Sequence, residues 1–531
     1  MSEAPVLTAW SPLRQPVFRA LWIANQVSFV GTWVHQVGAA WLMTELAPEP
    51  VMVSLVQAAT GLSMFLLVVP SGAIADIVDR RRVLLAAQSW MLVVAAVLGI
   101  LTVAQRTTPW VLLLCTFLLA FGAAFTAPAW QAILPELVPR RQLAAAITLQ
   151  GLGVNVARAF GPAIGGVLVA TLGAGAAFLL NAISFLGLIA VVARWRRPEE
   201  PQELPPEPIG RAMRAGLRYV RHTPQLTNVL VRSGLFILAG SALWALLPLI
   251  ARQELGLTAA GYGVILAAFG FGAVGGAVLL TRLRQRLELD TIASLAAVLY
   301  GAALVGLGLS DGLPFVLPCA FAAGAAWLNL LANFNTAAQT ALPAWVRARG
   351  MSIYLLVFFG GMAGGSVLWG ALGRHLGLVE AMAAAGVAAA LTALARWRFR
   401  LESAEGLNLA PSRHWPAPPI DARVEPEAGP VLVTVEYAVE SSRVAEFQEA
   451  MQELRRLRRR GGAYAWGLFA DLTDSTRFLE SYLVASWLEH LRQHERVTDE
   501  DRAAEERVRE TLVPGSERRV THLVATRPPA S

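Results

Sequence analysis

About twelve apolar stretches, near residues 18–42, 52–74, 83–104, 110–132, 145–170, 174–194, 227–251, 259–281, 289–309, 313–337, 350–372 and 376–396, run through most of this chain. Each has the roughly 20 residues that a helix needs to cross about 30 Å of hydrocarbon. Lipid offers no partner to a backbone N–H or C=O, so a spanning segment satisfies its own hydrogen bonds as a helix, or pairs within a closed barrel. Stretches of this length, without strict alternation, predict helices. The fold class is therefore an all-α polytopic membrane protein with twelve transmembrane helices. Composition agrees, with 55% apolar and 15% charged residues against about 25% charged in ordinary soluble domains.

The chain has no lysine, so orientation rests on arginine. Arg14 and Arg19, Arg80 to Arg82, Arg140 and Arg141, the cluster from Arg194 to Arg221, Arg282 to Arg286, Arg347 and Arg349, and Arg396 to Arg400 fall in alternate connections. The connections between them hold little beyond Arg106, Arg252 and Arg374. The positive-inside rule then places both termini in the cytoplasm of a bacterial cell (inner) membrane. The first apolar run is too long for a signal peptide and reads as the first spanning helix. The net charge of +7 is spread over membrane-flanking loops, which suits anionic lipid head groups as partners rather than nucleic acid. Cys115 and Cys319 lie inside apolar stretches and read as small buried fillers.

Residues 1–197 are expected to form one six-helix bundle and 227–400 a second, joined by a polar linker at 198–226 that begins PEEPQELPPEP. Two such bundles suit a transporter built from repeats. Gln131-x-x-Leu134-Pro135 recurs as Gln339-x-x-Leu342-Pro343, and Gly161-x-x-x-Gly165-Gly166 as Gly360-x-x-x-Gly364-Gly365. A Pro-rich linker at 401–430 leads to a charged tail at 431–531. The periods of the tail run in the order βαββαβ, which predicts a cytoplasmic α+β domain of ferredoxin-like plan.

Polar groups are costly in the hydrocarbon and normally face a bundle interior. In the first helix Asn25, Ser28, Thr32, His35 and Gln36 recur at three- or four-residue steps and form one stripe. Asn155 and Arg158 lie in the fifth stretch, and Asn329 with Asn333 in the tenth. The substrate cavity is therefore expected to use Asn25, Thr32, His35, Gln36, Asn155, Arg158, Asn329 and Asn333. Arg158 needs an anionic or carbonyl partner, and an imidazole such as that of His35 titrates near pH 6.5 and can carry a proton. No carboxylate stands clearly in the middle of a stretch, and no phosphate-binding glycine loop with lysine is present. His490 and His494 are four apart, but their charged neighbours predict a solvated face rather than a metal site. No catalytic group, cofactor or metal is expected.

Gly72, Asp76, Asp79, Arg80 and Arg81 occupy the turn from the second to the third stretch, where an acid can meet arginines or a helix end differently in different conformations. This turn resembles the Gly-x-x-x-Asp-Arg-x-Gly-Arg-Arg pattern of the major facilitator superfamily, with Ile77 and Asp79 in place of an arginine and a glycine. Gly161, Pro162, Gly165 and Gly166 resemble the Gly-Pro-x-x-Gly-Gly motif of its exporters, a bendable and closely packed helix. GTWVHQVGAAWL, AFTAPAWQAILPELVPRRQLAAAITL, LPAWVRARGMSIYLL and SWLEHLRQHERVTDEDRA are similar to the branch that includes the enterobactin exporter.

The resemblance implies two six-helix bundles rocking about a central cavity. It also implies export of a small amphipathic molecule (siderophore, drug or metabolite) by alternating access, driven by an ion gradient, most readily H+. These glycines, Pro162, Asp76, Asp79, Arg80 and Arg81 would form the conformational gate. The tail also resembles the antibiotic-biosynthesis-monooxygenase-like fold, whose members pair sheets, so a homodimer through the tail is implied. The competing reading is a membrane-anchored enzyme or sensor whose activity resides in that tail.

Overall fold

Proline opens the first, second and fourth helices, where its missing N–H has no intrahelical partner to lose. The structure, a computed structural model of the chain, describes residues 10–195, 216–343, 345–402, 408, 412, 414–415, 425, 427–516 and 518–525. Most of the expected linkers at 198–226 and 401–430 lie outside the described residues.

The first half comprises α1 (Pro16–Leu46), α2 (Pro50–Ile77), α3 (Arg80–Val103), α4 (Pro109–Leu137) and α5 (Leu143–Arg194). The second comprises α6 (Pro224–Glu254), α7 (Ala259–Leu283), α8 (Leu289–Leu309), α9 (Leu313–Thr340), α10 (Arg347–Leu376) and α11 (Leu378–Trp397). Ten helices among the described residues are long and apolar enough to cross a membrane. The 52-residue α5 counts once among them, although Gly173 at φ 80° and ψ 167° divides it into two helices. That backbone conformation is open to glycine and strained for other residues. The 31-residue α1 is outside the ten, because its polar stripe lowers its hydropathy.

The chain forms two compact units. One comprises Met1–Pro206, Leu230–Asn335 and Tyr354–Leu401, and so holds most of the long helices. The other joins Glu207–Val229 and Thr336–Ile353 to Glu402–Ser531. Two segments from between the long helices thus belong with the tail. Within this second unit Arg218 pairs with Glu489 at 3.0 Å, Arg460 lies over Tyr219, and Arg496 stacks on Trp345.

The tail holds β1 (Val431–Ala438), α12 (Val444–Gly461), β2 (Ala465–Ala470), β3 (Arg477–Val484), α13 (Trp487–Arg496), α14 (Asp499–Glu510) and β4 (Arg519–Val524). The strands form one antiparallel sheet in the order β2-β3-β1-β4. Period-two alternation turns Val431, Val433, Val435 and Tyr437 inward, where Phe447, Met451, Leu454 and Val508 of the helices help to bury the lower part of that row. The single helical region expected after β3 is divided at Thr498, whose side chain and Asp501 form a capping box that starts α14.

Charges also enter this core. Arg458 bonds Glu480 at 3.2 Å and Glu505 at 3.0 Å, while Tyr437 and Trp466 donate to Glu480 and Trp415 donates to Glu505. Such a network holds only while every member is paired, since one orphaned buried charge loses its compensation. His490 corrects the sequence expectation of a solvated histidine face. It is buried, with its ring 4.7 Å from His522 and 4.9 Å from His494. The helix periodicity did not include β4, which supplies His522. Among the described residues no three His, Cys, Asp or Glu side chains are grouped to hold a metal.

Glu480→Ala is expected to destabilise the tail by about 1–3 kcal/mol, because Arg458 keeps Glu505 while buried Tyr437 and Trp466 lose their acceptor, measured as thermal unfolding of the tail in the intact protein. Burial, together with neighbouring charges, lowers His490 to about 3 and His494 to about 4. The unfolded chain takes up these protons below about pH 6.5 while the folded tail refuses them. Tail stability should therefore fall as pH drops from about 6.5 toward 4, and His494→Gln should flatten that dependence in the same unfolding assay.

Candidate functional site

A cavity of about 410 Å³ lies among the helices of both halves. Helix α1 supplies Thr32, Trp33, His35 and Gln36, α2 supplies Gln57 and Thr60, and α5 supplies Arg158 and Asn181. The second half contributes Trp244 from α6, Tyr262 and Phe269 from α7, Trp327 from α9 and Phe358 from α10. The helical repeat brings Thr32, His35 and Gln36 to one face of α1, and that face is the cavity wall.

Thr32 satisfies its hydroxyl on the Ser28 carbonyl, one turn back. The buried His35 ring packs on Phe178 at 4.6 Å, and both of its nitrogens lack a hydrogen-bond partner. Arg158 is the one cation among the lining residues, and no lining residue is acidic. Among the described residues no hydrogen-bond acceptor or carboxylate is paired with its guanidinium. Arginine stays charged, so this wall carries one uncompensated positive charge in largely apolar surroundings.

Four residues expected in the cavity are placed elsewhere. Asn25 is buried about two turns before Thr32, away from the lining. Asn155 is half-buried and off the wall. Asn329 donates to the Gly276 and Ala325 carbonyls at 3.1 and 2.7 Å, and Asn333 accepts from Arg284 at 3.0 Å. Their polar groups serve the α7–α9 contact, a use that a polar residue in an apolar stretch shares with cavity lining. Conversely, Gln57 and Asn181 fit the same polar-in-span rule and were passed over. Trp33, Trp244 and Trp327 gave no signal, because an aromatic residue in an apolar helix reads as ordinary packing.

The two halves meet tightly at the end that bears the 46–50 and 254–258 connections. A Cβ built on Gly166 would stand 2.6 Å from the Ala259 carbonyl and 2.8 Å from the Gly263 Cα, so α5 and α7 touch backbone to backbone. Trp41 stacks on Tyr262, Arg252 donates to Thr44 at 3.2 Å, and Gln253 donates to the Pro48 carbonyl at 3.2 Å. Gly165 and Gly161 give α1 the same close access, at Val34 and Trp33. Pro162 is buried inside α5, and its carbonyl lies 2.6 Å from where a Cβ on Gly263 would stand.

At the other end, the ion pairs that the structure describes stay within one half. Asp79 caps α3 by accepting from the Arg82 N–H at 2.9 Å. Arg80 pairs with Glu136 of α4 at 2.7 Å, and Arg81 donates to the Val192 and Ala193 carbonyls at the end of α5, where a cation complements the helix dipole. Gly72 lies in α2 with open space around it. The side chain of Asp76 lies outside what is described. Glu136 was missed in the sequence because it reads as an interfacial acid. In the second half, buried Asp290 accepts from Arg232 and the Leu401 N–H and forms an ion pair with Arg396.

Gly166→Val should force α5 from α7 and open this end. An impermeant maleimide should then label a cysteine placed at Ala39, which is 2% exposed, at least several-fold faster than in the parent; equal rates would contradict the closure.

The profile of the transmembrane secretion effector family matches residues 7–529. The staphyloferrin A transporter of Staphylococcus aureus (strain NCTC 8325 / PS 47) is 26% identical over 282 residues, 52% of this chain and 70% of that protein. The enterobactin exporter EntS of Escherichia coli O6:K15:H31 is 27% identical over 379 residues, 70% of this chain and 88% of that one. In fold, a bacterial homologue of the human lysosomal transporter Spinster, solved inward-facing and unoccupied, aligns with TM-score 0.56 and 16% identity over 73% of this chain and 95% of that chain. A nucleoside transporter, NupG, aligns with TM-score 0.57 and 12% identity over 72% and 99%. With a family profile spanning nearly its whole length and a cavity held between two sets of long apolar helices, this chain belongs to the transmembrane secretion effector family of the major facilitator superfamily: it is a multi-pass membrane transporter and not an enzyme.

Proposed function

We propose that the chain exports a small amphipathic molecule from the bacterial cytoplasm across the inner membrane by alternating access. The observation that carries this reading is the cavity itself, lined from both halves and packed shut at one end by the α5–α7 crossing. Taking the two parts of α5 separately and adding α1 gives twelve spans, and the arginine distribution puts both termini and the tail in the cytoplasm. The packed end is then external, and the structure is an inward-facing state. The names of two relatives, an exporter and a transporter of siderophores, support a cargo of that size and kind.

Energy comes from the electrochemical gradient across the membrane. A coupling proton would have His35 as its carrier, since that imidazole is the one histidine in the lining. The Asp79 to Arg81 turn, fastened to α4 and α5, moves as part of the first half. The strand order of the tail fits the ferredoxin-like plan, and its open sheet face suits pairing with a second copy. The sequence divides the chain into bundles at 1–197 and 227–400 and a tail at 431–531, with Thr336–Ile353 of the second bundle grouped with the tail.

In cells lacking their major exporters, expression should lower accumulation of at least one dye, antibiotic or siderophore of a panel. A protonophore should abolish that effect, and Glu136→Gln, which removes the carboxylate charge facing Arg80, should reduce it several-fold. A chain ending at Glu402 should retain measurable efflux, whereas an activity seated in the tail would vanish. Efflux of every panel member equal to that of empty-vector cells would reject the reading.

A further inference from the structure

Buried charge normally meets its complement on an adjoining element, as Arg232 meets Asp290 and Arg458 meets Glu480 in this chain. Arg158, half-buried on the wall it lines, has no such complement among the described residues. It faces a cavity of about 410 Å³ whose lining holds neither carboxylate nor second cation. The titratable groups on that wall are His35, Arg158 and Tyr262. A guanidinium held there without a partner is costly, and a bound anion would relieve that cost through charge-assisted hydrogen bonds. Around it Trp33, Trp244 and Trp327 offer indole surfaces, which suit flat aromatic or conjugated groups.

We infer that the cargo is an aromatic organic anion carried as an ion pair with Arg158, and that the membrane potential alone drives its export. This inference rests on the export reading above and adds the cargo's charge and the driving force. The balance over one cycle is direct. With a monoanion bound, the site is neutral as it turns outward. After release, the site returns carrying the single positive charge of Arg158. One negative charge has left the cell and no other ion has moved. An inside-negative potential favours both the return of the charged empty site and the net flux, so a coupling proton is unnecessary. For one charge, each tenfold gradient of the anion balances about 59 mV.

Purified full-length protein in liposomes tests this with naphthalene-2-sulfonate, which remains a monoanion at any working pH. Electroneutral exchange of labelled for unlabelled probe at zero potential tests transport itself. With tenfold more K+ inside and valinomycin present, the probe, initially equal on both sides, should redistribute toward a tenfold excess outside. A pH gradient imposed at zero potential should leave it level. Arg158→Gln should abolish both exchange and redistribution, while Arg158→Lys, which restores the charge, should recover part of each. The parent should bind the uncharged naphthalene-2-sulfonamide at least tenfold more weakly by calorimetry.

Exchange without response to the K+ gradient would overturn the potential-driven cycle and leave the transport reading in place. So would redistribution by the pH gradient. Exchange of the probe by a monodisperse Arg158→Gln would overturn the role of the arginine. No exchange by the parent would overturn the aromatic-anion cargo, and the cellular efflux assay would then decide the export reading separately.

Discussion

Hydrocarbon provides no hydrogen-bond partner, and the rest of this structure depends on that fact. The backbone answers by forming long helices. Side chains with polar groups answer in one of three ways: they bond their own helix, as Thr32 does on Ser28, they bond a neighbouring helix, as Asn329 does on Gly276, or they turn toward a cavity, as Gln36 and Arg158 do. The cavity wall is where the polar groups of the third kind collect. The tail lies outside this constraint, which is why its strands can alternate and its helices can be densely charged.

How much of this was legible follows from the same three outcomes. Helix positions could be read from apolar length alone, because that length is imposed by the bilayer. The α1 stripe could be read too, since three- and four-residue steps admit only one face. What periodicity does not carry is the identity of the neighbour. Asn333 and Arg158 look alike as polar residues in apolar stretches, yet one has Arg284 beside it and the other faces an open space. The tryptophans were invisible for the converse reason, as their role depends wholly on which residues stand opposite. In the tail, His490 and His494 suggested a wet helix face until β4 brought His522 against them.

Glycine explains how the two halves can come together so closely, with the hydrogen bonds from Arg252 to Thr44 and from Gln253 to the Pro48 carbonyl beside the contact. At Gly166 and Gly263 the approach is between backbones, and any side chain at either position would have to displace the other helix. Such contacts are made of dispersion and carry little directional commitment, so they can separate without stranding a charge. The ion pairs behave oppositely. Arg80 with Glu136 and Arg232 with Asp290 each join helices of one half, where they hold a body rigid. The charge pairs thus lie inside each half, while the contact between the halves is mainly close glycine packing.

Arg158 lies where these two arrangements meet. Its carbonyl would be 2.7 Å from a Cβ on Gly270, and the adjoining Ala159 Cα equally close, so the backbone of the charged residue is itself part of the crossing between the halves. Its guanidinium meanwhile faces the cavity. A displacement of α5 along α7 therefore moves the one charge in the lining together with the seam that closes the cavity. Any ligand that neutralises the guanidinium changes the cost of holding that charge in each position, and through the same stretch of helix changes the balance between the positions.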